Sequence, residues 1–132
     1  HYNLMPKDFN KWNLKKVNIH NYNSSPLYNQ REIWWCLLGT NIGLEHDGDT
    51  KENTRPVLIL KGLSKNICFI LPLTSSKKEH TMRVPIGNIE GKDAKAVISQ
   101  LRVIDTKRLV EKICYLDIEK FELTRKAIKD IL

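Results

Sequence analysis

Two short aliphatic runs, residues 56–63 and 67–73, stand only Ser64-Lys65-Asn66 apart, and this spacing constrains the fold more than any other feature of the chain. Each run is β-branched and leucine-rich and too short for an ordinary helix, and the polar residues between them suit a reversal, so the pair reads as an antiparallel hairpin. An isolated hairpin is marginal in water, so further strands or a helix must cover it. Residues 31–38, Arg31-Glu32-Ile33-Trp34-Trp35-Cys36-Leu37-Leu38, are apolar on both alternating faces, as expected of a central strand covered on each side by core or by another subunit. Residues 81–86 predict another short strand, bounded by Pro85 and Gly87-Asn88, and residues 96–104 alternate well enough for one or two more. Five or six short strands with irregular loops suit a small barrel better than a parallel sheet. At the end of the chain Asp117 is a good N-cap, Glu119 falls in the first turn, and Ile118, Phe121, Ile128 and Ile131 recur at helical spacing. The expected class is therefore mainly β with helices, closed by a C-terminal helix.

Two regions fall outside this pattern. Residues 6–19 place Phe9, Trp12, Lys15, Lys16 and Ile19 at spacings compatible with an irregular amphipathic helix, basic on its outer side, and residues 18–30 are Asn-rich with Ser24, Ser25 and Pro26, which reads as a linker. Residues 39–54 form a long polar stretch holding Gly43, Asp47, Gly48 and Asp49, and a loop of that length in a compact domain is more often functional or mobile than idle. A chain of 132 residues has the usual size of one domain. The expected organisation is an extension and linker over residues 1–30, then one barrel domain over residues 31–132.

The formal net charge is +7, a surplus that favours a polyanionic partner such as nucleic acid, an anionic membrane surface or an acidic protein. Cys36, Cys68 and Cys114 are odd in number, widely spaced and set among apolar residues, so they read as buried reduced thiols in a cytoplasmic protein and not as a metal or disulfide framework. The longest apolar runs are far too short to span a bilayer, and no secretory signal pattern precedes them; a soluble, intracellular protein is expected. The chain carries no Gly-rich phosphate loop, no His-x-x-x-His pair, no nucleophile elbow and no zinc-ligand spacing, so neither a cofactor nor a bound metal is expected. His1, His20, His46 and His80 are scattered.

Five phrases taken together carry more. They are Ile33-Trp34 opening a strand, Asn41-Ile42-Gly43-Leu44-Glu45-His46-Asp47-Gly48, Arg55-Pro56-Val57-Leu58-Ile59, Pro72-Leu73-Thr74-Ser75, and Gln100-Leu101-Arg102-Val103-Ile104-Asp105-Thr106-Lys107-Arg108-Leu109. In this order and spacing, from about residue 31 to the end, the chain resembles the PemK/MazF family of toxin ribonucleases. The resemblance implies an SH3-like barrel decorated with helices, usually a homodimer, that cuts single-stranded RNA such as mRNA at short sequences without a metal. It also implies a cognate antitoxin, whose acidic, partly disordered tail would lie across a basic groove and block RNA. By motif position it makes Arg55 and Thr74 the catalytic pair, with Glu45 nearby.

The chemistry fits those residue types. Metal-free RNA cleavage uses the neighbouring 2′-hydroxyl as nucleophile, so the protein must remove its proton, stabilise charge on a pentavalent phosphorus and protonate the departing 5′-oxygen. Arg55 offers a planar fork of donors that stays charged, which suits a clamp on phosphoryl oxygens better than a proton donor. Thr74 brings a hydroxyl, and the backbone N–H groups of Ser75 and Ser76 are placed to share the phosphate. Lys77, Lys78 and Arg83 follow as a basic groove edge for RNA; Gln100 and Arg102 are candidates to read bases or support the site; Asp105 and Arg108 suit an ion pair or turn cap. Glu45 is open to three roles: a base, a partner orienting Arg55, or a solvated acid. Many family members carry an acid just before the Gln of the Gln-x-x-x-Ile-Asp phrase, and here that position is Ser99, which cannot usefully accept a proton near neutral pH. Either Glu45 or His46 then takes the base role, or the enzyme is slow. The competing expectation is a catalytically silent SH3-like module that binds RNA or jams a protein target, as the related gyrase-poisoning toxins do.

Overall fold

A computed structural model describes residues 25–39 and 54–132. The expected N-terminal helix, the first part of the linker and the loop carrying Glu45 and His46 lie outside these residues. Among the described residues the strands are β1 (Glu32–Leu37), β2 (Thr54–Gly62), β3 (Ile67–Thr74), β4 (Arg83–Ile89), β5 (Lys92–Val97), β6 (Arg102–Asp105) and β7 (Leu109–Tyr115). A 3₁₀ turn at Ile98–Gln100 precedes β6, a second at Thr106–Arg108 precedes β7, and helix α1 (Ile118–Ile131) closes the chain. The strands form one antiparallel, half-barrel sheet in the order β4-β5-β3-β2-β1-β7, with β6 also paired to β3. The mainly β class and the hairpin 56–73 are as the sequence implied; β1 is covered on both faces as expected but lies next to the end of the sheet, between β2 and β7, and not at its centre.

Both faces of this sheet are covered, which is why its strands read as continuous apolar runs. Ile33, Leu58, Leu71 and Leu73 face a core completed by Ile86, Ala96 and Ile98 and by Leu116, Phe121 and Ile128 at the helix. The alternate residues Trp34, Cys36, Val57, Ile59, Cys68 and Ile70 face a second cluster with Ile104 and Leu109. Truncating a fully buried leucine such as Leu58 costs about 2–5 kcal/mol, so the strand faces are strongly specified. Helix α1 begins as expected: the Asp117 carboxylate accepts from the Lys120 N–H at 3.3 Å. Its buried stripe is Phe121, Thr124 and Ile128, whereas Ile118 and Ile131 are 54% and 43% exposed and lie off that face.

The structure corrects one further expectation and adds two features. Gly87 does not end β4; with φ of 96° it sits at a register shift between Pro85 and Gly87, and the reversal comes later, at Glu90 and Gly91 with φ of 55° and 84°. Asn88 supports that reversal by accepting from the Gly91 N–H at 3.0 Å. β7 was not anticipated: its pairing with β1 shifts register twice, so its side chains lose the period of two that marks a strand. Finally, the described part of the linker is packed. The Tyr28 hydroxyl donates toward the carbonyls of Ser64 and Ile67, and its ring end lies so close to Gly62 that a Cβ there would come within 2.6 Å of the hydroxyl oxygen.

The cysteines are free thiols, Cys36 and Cys68 buried and Cys114 partly so. Burial pushes the Cys36 thiol up to about 12 and the Cys68 thiol up to about 11. Among the described residues no helix is long and apolar enough to cross a membrane.

Candidate active site

Register brings the two residues singled out by motif together. β2 and β3 pair Val57 with Pro72, Leu58 with Leu71 and Ile59 with Ile70. Continuing that register by one period of two sets Arg55 across from Thr74, just beyond the last laddered pair. Because side chains alternate, Arg55 lies on the same face as Val57, and Thr74 on the same face as Pro72. On the flanking strands Cys36 pairs with Arg55, and Thr74 pairs with Lys95. One line across four strands therefore reads Cys36, Arg55, Thr74, Lys95, with about 5 Å between Cβ atoms of directly opposed neighbours. That spacing suits groups that grip one phosphate from two sides.

Burial and hydrogen bonding decide what each group can do. Arg55 is exposed, and its guanidinium has no partner among the described residues. Thr74 is half-buried and ends β3, and its Oγ1 accepts from the Ser76 N–H at 3.1 Å. The hydroxyl thus caps the turn and is fixed in place, keeping its own proton for donation to an incoming oxygen. The same bond engages the Ser76 N–H, so the backbone donor left for a phosphate at this turn is that of Ser75. Ser76 Oγ in turn accepts from the Lys78 N–H at 3.2 Å, and the Lys95 ammonium donates to the Lys78 carbonyl at 3.1 Å. Residues 74–78 are therefore held on three anchors. Lys95 escaped the sequence analysis because only its pairing with Thr74 gives it a place near the site.

The remaining candidates are spread around this line. Ser75, Ser76, Lys77 and Lys78 are exposed beside Thr74. Arg102, on β6, opposes Ile70 and so continues the face that holds Arg55, and with Arg108 it draws the Cys36 thiol down against the larger effect of burial. Gln100 and Ser99 are exposed in the 3₁₀ turn before β6. Arg83 differs from a free groove edge: it is half-buried, pairs with Val97, and its Nη1 is sealed from solvent without a hydrogen-bond partner among the described residues. Asp105 caps its turn, accepting from the Lys107 N–H at 2.8 Å, and Arg108 donates to the Leu37 carbonyl at 3.0 Å, so both serve structure. His80 accepts from the Met82 N–H through Nδ1 at 3.1 Å. Glu45 and His46 lie outside the described residues. Among the described residues no three His, Cys, Asp or Glu side chains form a group that would hold a metal ion.

A cluster the sequence reading missed lies at the other end of β1. Glu32 is almost fully buried, and its carboxylate accepts from the Asn29 N–H at 2.8 Å, the Trp34 indole at 2.8 Å and the Lys112 ammonium at 3.2 Å. Burial alone would raise its pKa, but the hydrogen bonds from Trp34, Asn29 and Lys112 outweigh it and hold the carboxyl below the usual range. Glu32-x-Trp34 is the trace of this cluster in the sequence.

Residues 29–132 match the family model described as the PemK-like, MazF-like toxin of type II toxin-antitoxin systems. No curated protein matches the chain. Among solved structures, MazF from Deinococcus radiodurans superposes with a TM-score of 0.64 at 17% identity, covering 80% of this chain and 96% of that one. The Mycobacterium tuberculosis toxin MazF-mt6 gives 0.59 at 20% identity, covering 76% and 94%. A MazE-MazF complex from Deinococcus radiodurans gives 0.62 at 14% identity, covering 80% and 95%. At these identities the structures establish a shared fold.

Proposed function

The chain belongs to the PemK-like, MazF-like toxins of type II toxin-antitoxin systems, and from that premise we propose that it is a sequence-specific endoribonuclease that cleaves single-stranded RNA without a metal, through attack of the 2′-hydroxyl to leave a 2′,3′-cyclic phosphate. The observation that carries this reading is the opposition of Arg55, exposed and unpartnered among the described residues, to the turn-fixed Thr74 hydroxyl. In the proposed mechanism the Arg55 fork binds two phosphoryl oxygens, and Thr74 donates its hydroxyl proton as a hydrogen bond where negative charge develops. The Ser75 N–H adds a donor, and Lys77, Lys78 and Arg102 draw the RNA backbone along the same edge. Proton removal falls to Glu45 or His46, since Ser99 offers no carboxylate where relatives carry one. In this reading Gln100 meets a base edge or supports the site.

The proposed partners are a second copy of the chain and an acidic antitoxin competing for the basic edge. One of the structures of similar fold is a MazE-MazF complex, which supports the antitoxin. Ser99 favours one alternative, a silent module that binds RNA or a protein target without cutting. Incubation of the purified protein with a long unstructured RNA in EDTA separates the two: fragments ending in 2′,3′-cyclic phosphate support the enzyme, and intact but bound RNA supports the module. If Arg55→Ala and Thr74→Ala both cut normally, the assigned site is wrong.

A further inference from the structure

A cleft of about 560 Å³ opens beside Thr74, between the segment that follows β3 and the reversal joining β4 to β5. Ser75, Ser76 and Lys77 line one wall; Asn88, Lys92 and Lys95 line the other. We propose that this cleft is a subsite for the nucleotide next to the cleaved bond, with its phosphate held by Lys92 and Lys77 and its base or ribose edge met by Asn88. The proposal rests on the ribonuclease reading and adds to it the far wall, Asn88, Lys92 and Lys95, to which no motif pointed.

Four features argue for a nucleotide. The volume falls in the range of roughly 300–1,000 Å³ usual for small-molecule sites, larger than a bare anion needs. Three ammonium groups face one carboxylate, Asp93, so the lining carries a net positive charge suited to a phosphodiester. Both walls are organised in advance: the Lys95 bond to the Lys78 carbonyl at 3.1 Å fixes one, and the Asn88 bond to the Gly91 N–H at 3.0 Å fixes the other. That second bond engages the Asn88 oxygen and leaves its two N–H donors for a ligand. Finally, the cleft continues the line Arg55, Thr74, Lys95, so a strand whose phosphate sits between Arg55 and Thr74 enters the cleft with its next nucleotide. Lysines are point charges without the planar fork of arginine, so the phosphate contacts here add affinity without reading sequence.

The test uses the full chain in EDTA and a fluorescently labelled single-stranded RNA bearing 2′-O-methyl groups, which removes the nucleophile and leaves the phosphates. Lys92→Gln is compared with Lys126→Gln, a control on α1 whose ammonium pairs with Asp130 at 3.4 Å. The expected result is a dissociation constant raised roughly two- to fivefold for Lys92→Gln, the range of an exposed charge pair. The slope of log affinity against log salt should also fall by about 0.7, one phosphate contact on a single strand. With cleavable RNA, KM should rise by more than kcat falls, and the control should match wild type throughout. If wild type binds and cuts RNA while Lys92→Gln keeps its affinity, salt slope and KM, the subsite is overturned and the ribonuclease reading stands. If wild type neither binds nor cuts RNA, both fail together.

Discussion

At one end of β1 the Glu32 carboxylate is 1% exposed and saturated with donors from Asn29, Trp34 and Lys112, while at the other end Cys36 pairs with Arg55, whose guanidinium is exposed and has no partner among the described residues. The same strand thus joins a charge consumed by the fold to a charge left over from it. A buried carboxylate without partners would neutralise or unfold the protein, so its neighbours must be built around it. An exposed guanidinium at a strand end meets no such demand, and its hydrogen-bonding capacity is available to a ligand. The difference separates residues whose loss should be read as instability from residues whose loss should be read as inactivity.

The largest effect expected is on stability. Glu32→Ala strands the Trp34 indole, an Asn29 N–H and the Lys112 ammonium together, and should cost about 3–5 kcal/mol in urea or thermal unfolding, as for a broken buried pair. A loss below about 1 kcal/mol would mean that the cluster is not what holds this end of β1. Next come Arg55→Ala and Thr74→Ala, each expected to lower RNA cleavage by roughly 10²–10³. For Arg55→Ala the unfolding free energy should stay within about 0.5 kcal/mol of wild type, because the lost side chain is exposed. A large stability loss in Arg55→Ala would erase the contrast between the two ends.

Much of this contrast can be read in the sequence, but unevenly. The hairpin 56–73 and the start of α1 follow from local signals, because Ser64-Lys65-Asn66 and Asp117 act within a few residues of themselves. Arg55 and Thr74 come from motif spacing alone; their meeting depends on a register set by Val57, Leu58 and Ile59 against Pro72, Leu71 and Ile70. Lys95 could not be found this way, since its place near the site comes from its pairing with Thr74 and its bond to the Lys78 carbonyl. β7 and the true end of β4 were hidden by irregularity: two register shifts against β1, and a glycine that bends a strand where it was read as ending one. Glu32 has no assigned role in the sequence reading because one of its donors, Lys112, is far along the chain and the others, Asn29 and Trp34, become partners only once the carboxylate is buried.

A smaller and graded effect is expected from pH. Burial keeps Cys36 and Cys68 protonated in the fold up to about 12 and about 11, well above the ordinary thiol value of about 8.5. The unfolded chain loses these protons first on the alkaline side, so the native state binds more protons there and stability must fall as pH rises. The loss should begin near pH 9 and amount to about 1.4 kcal/mol per pH unit for each such thiol. Glu32 acts with the opposite sign. Its carboxyl is held low, so its stabilisation is present above the ordinary carboxylate range and disappears as pH drops through the folded value. Urea midpoints at pH 4, 7 and 10 test both limbs, and a flat profile from 7 to 10 would rule out buried thiols of this kind.

The smallest effect divides the Glu32 cluster itself. Lys112 bonds the same carboxylate at 3.2 Å, yet its side chain is 48% exposed, and its ammonium also lies 5.5 Å from the centre of the Tyr115 ring. Water can replace most of what the lysine gives, while nothing can replace the buried Trp34 indole donor. Lys112→Ala should therefore cost under about 1 kcal/mol, the range of exposed pairs, and the cost should shrink further in high salt. Measured beside Glu32→Ala, it shows which partner keeps a buried charge tolerable: fixed interior hydrogen bonds if the two losses differ severalfold, the counter-ion if Lys112→Ala proves as damaging. The second outcome would make the lysine as indispensable to its end of β1 as the carboxylate, and would move the boundary between folding charge and functional charge out to the protein surface.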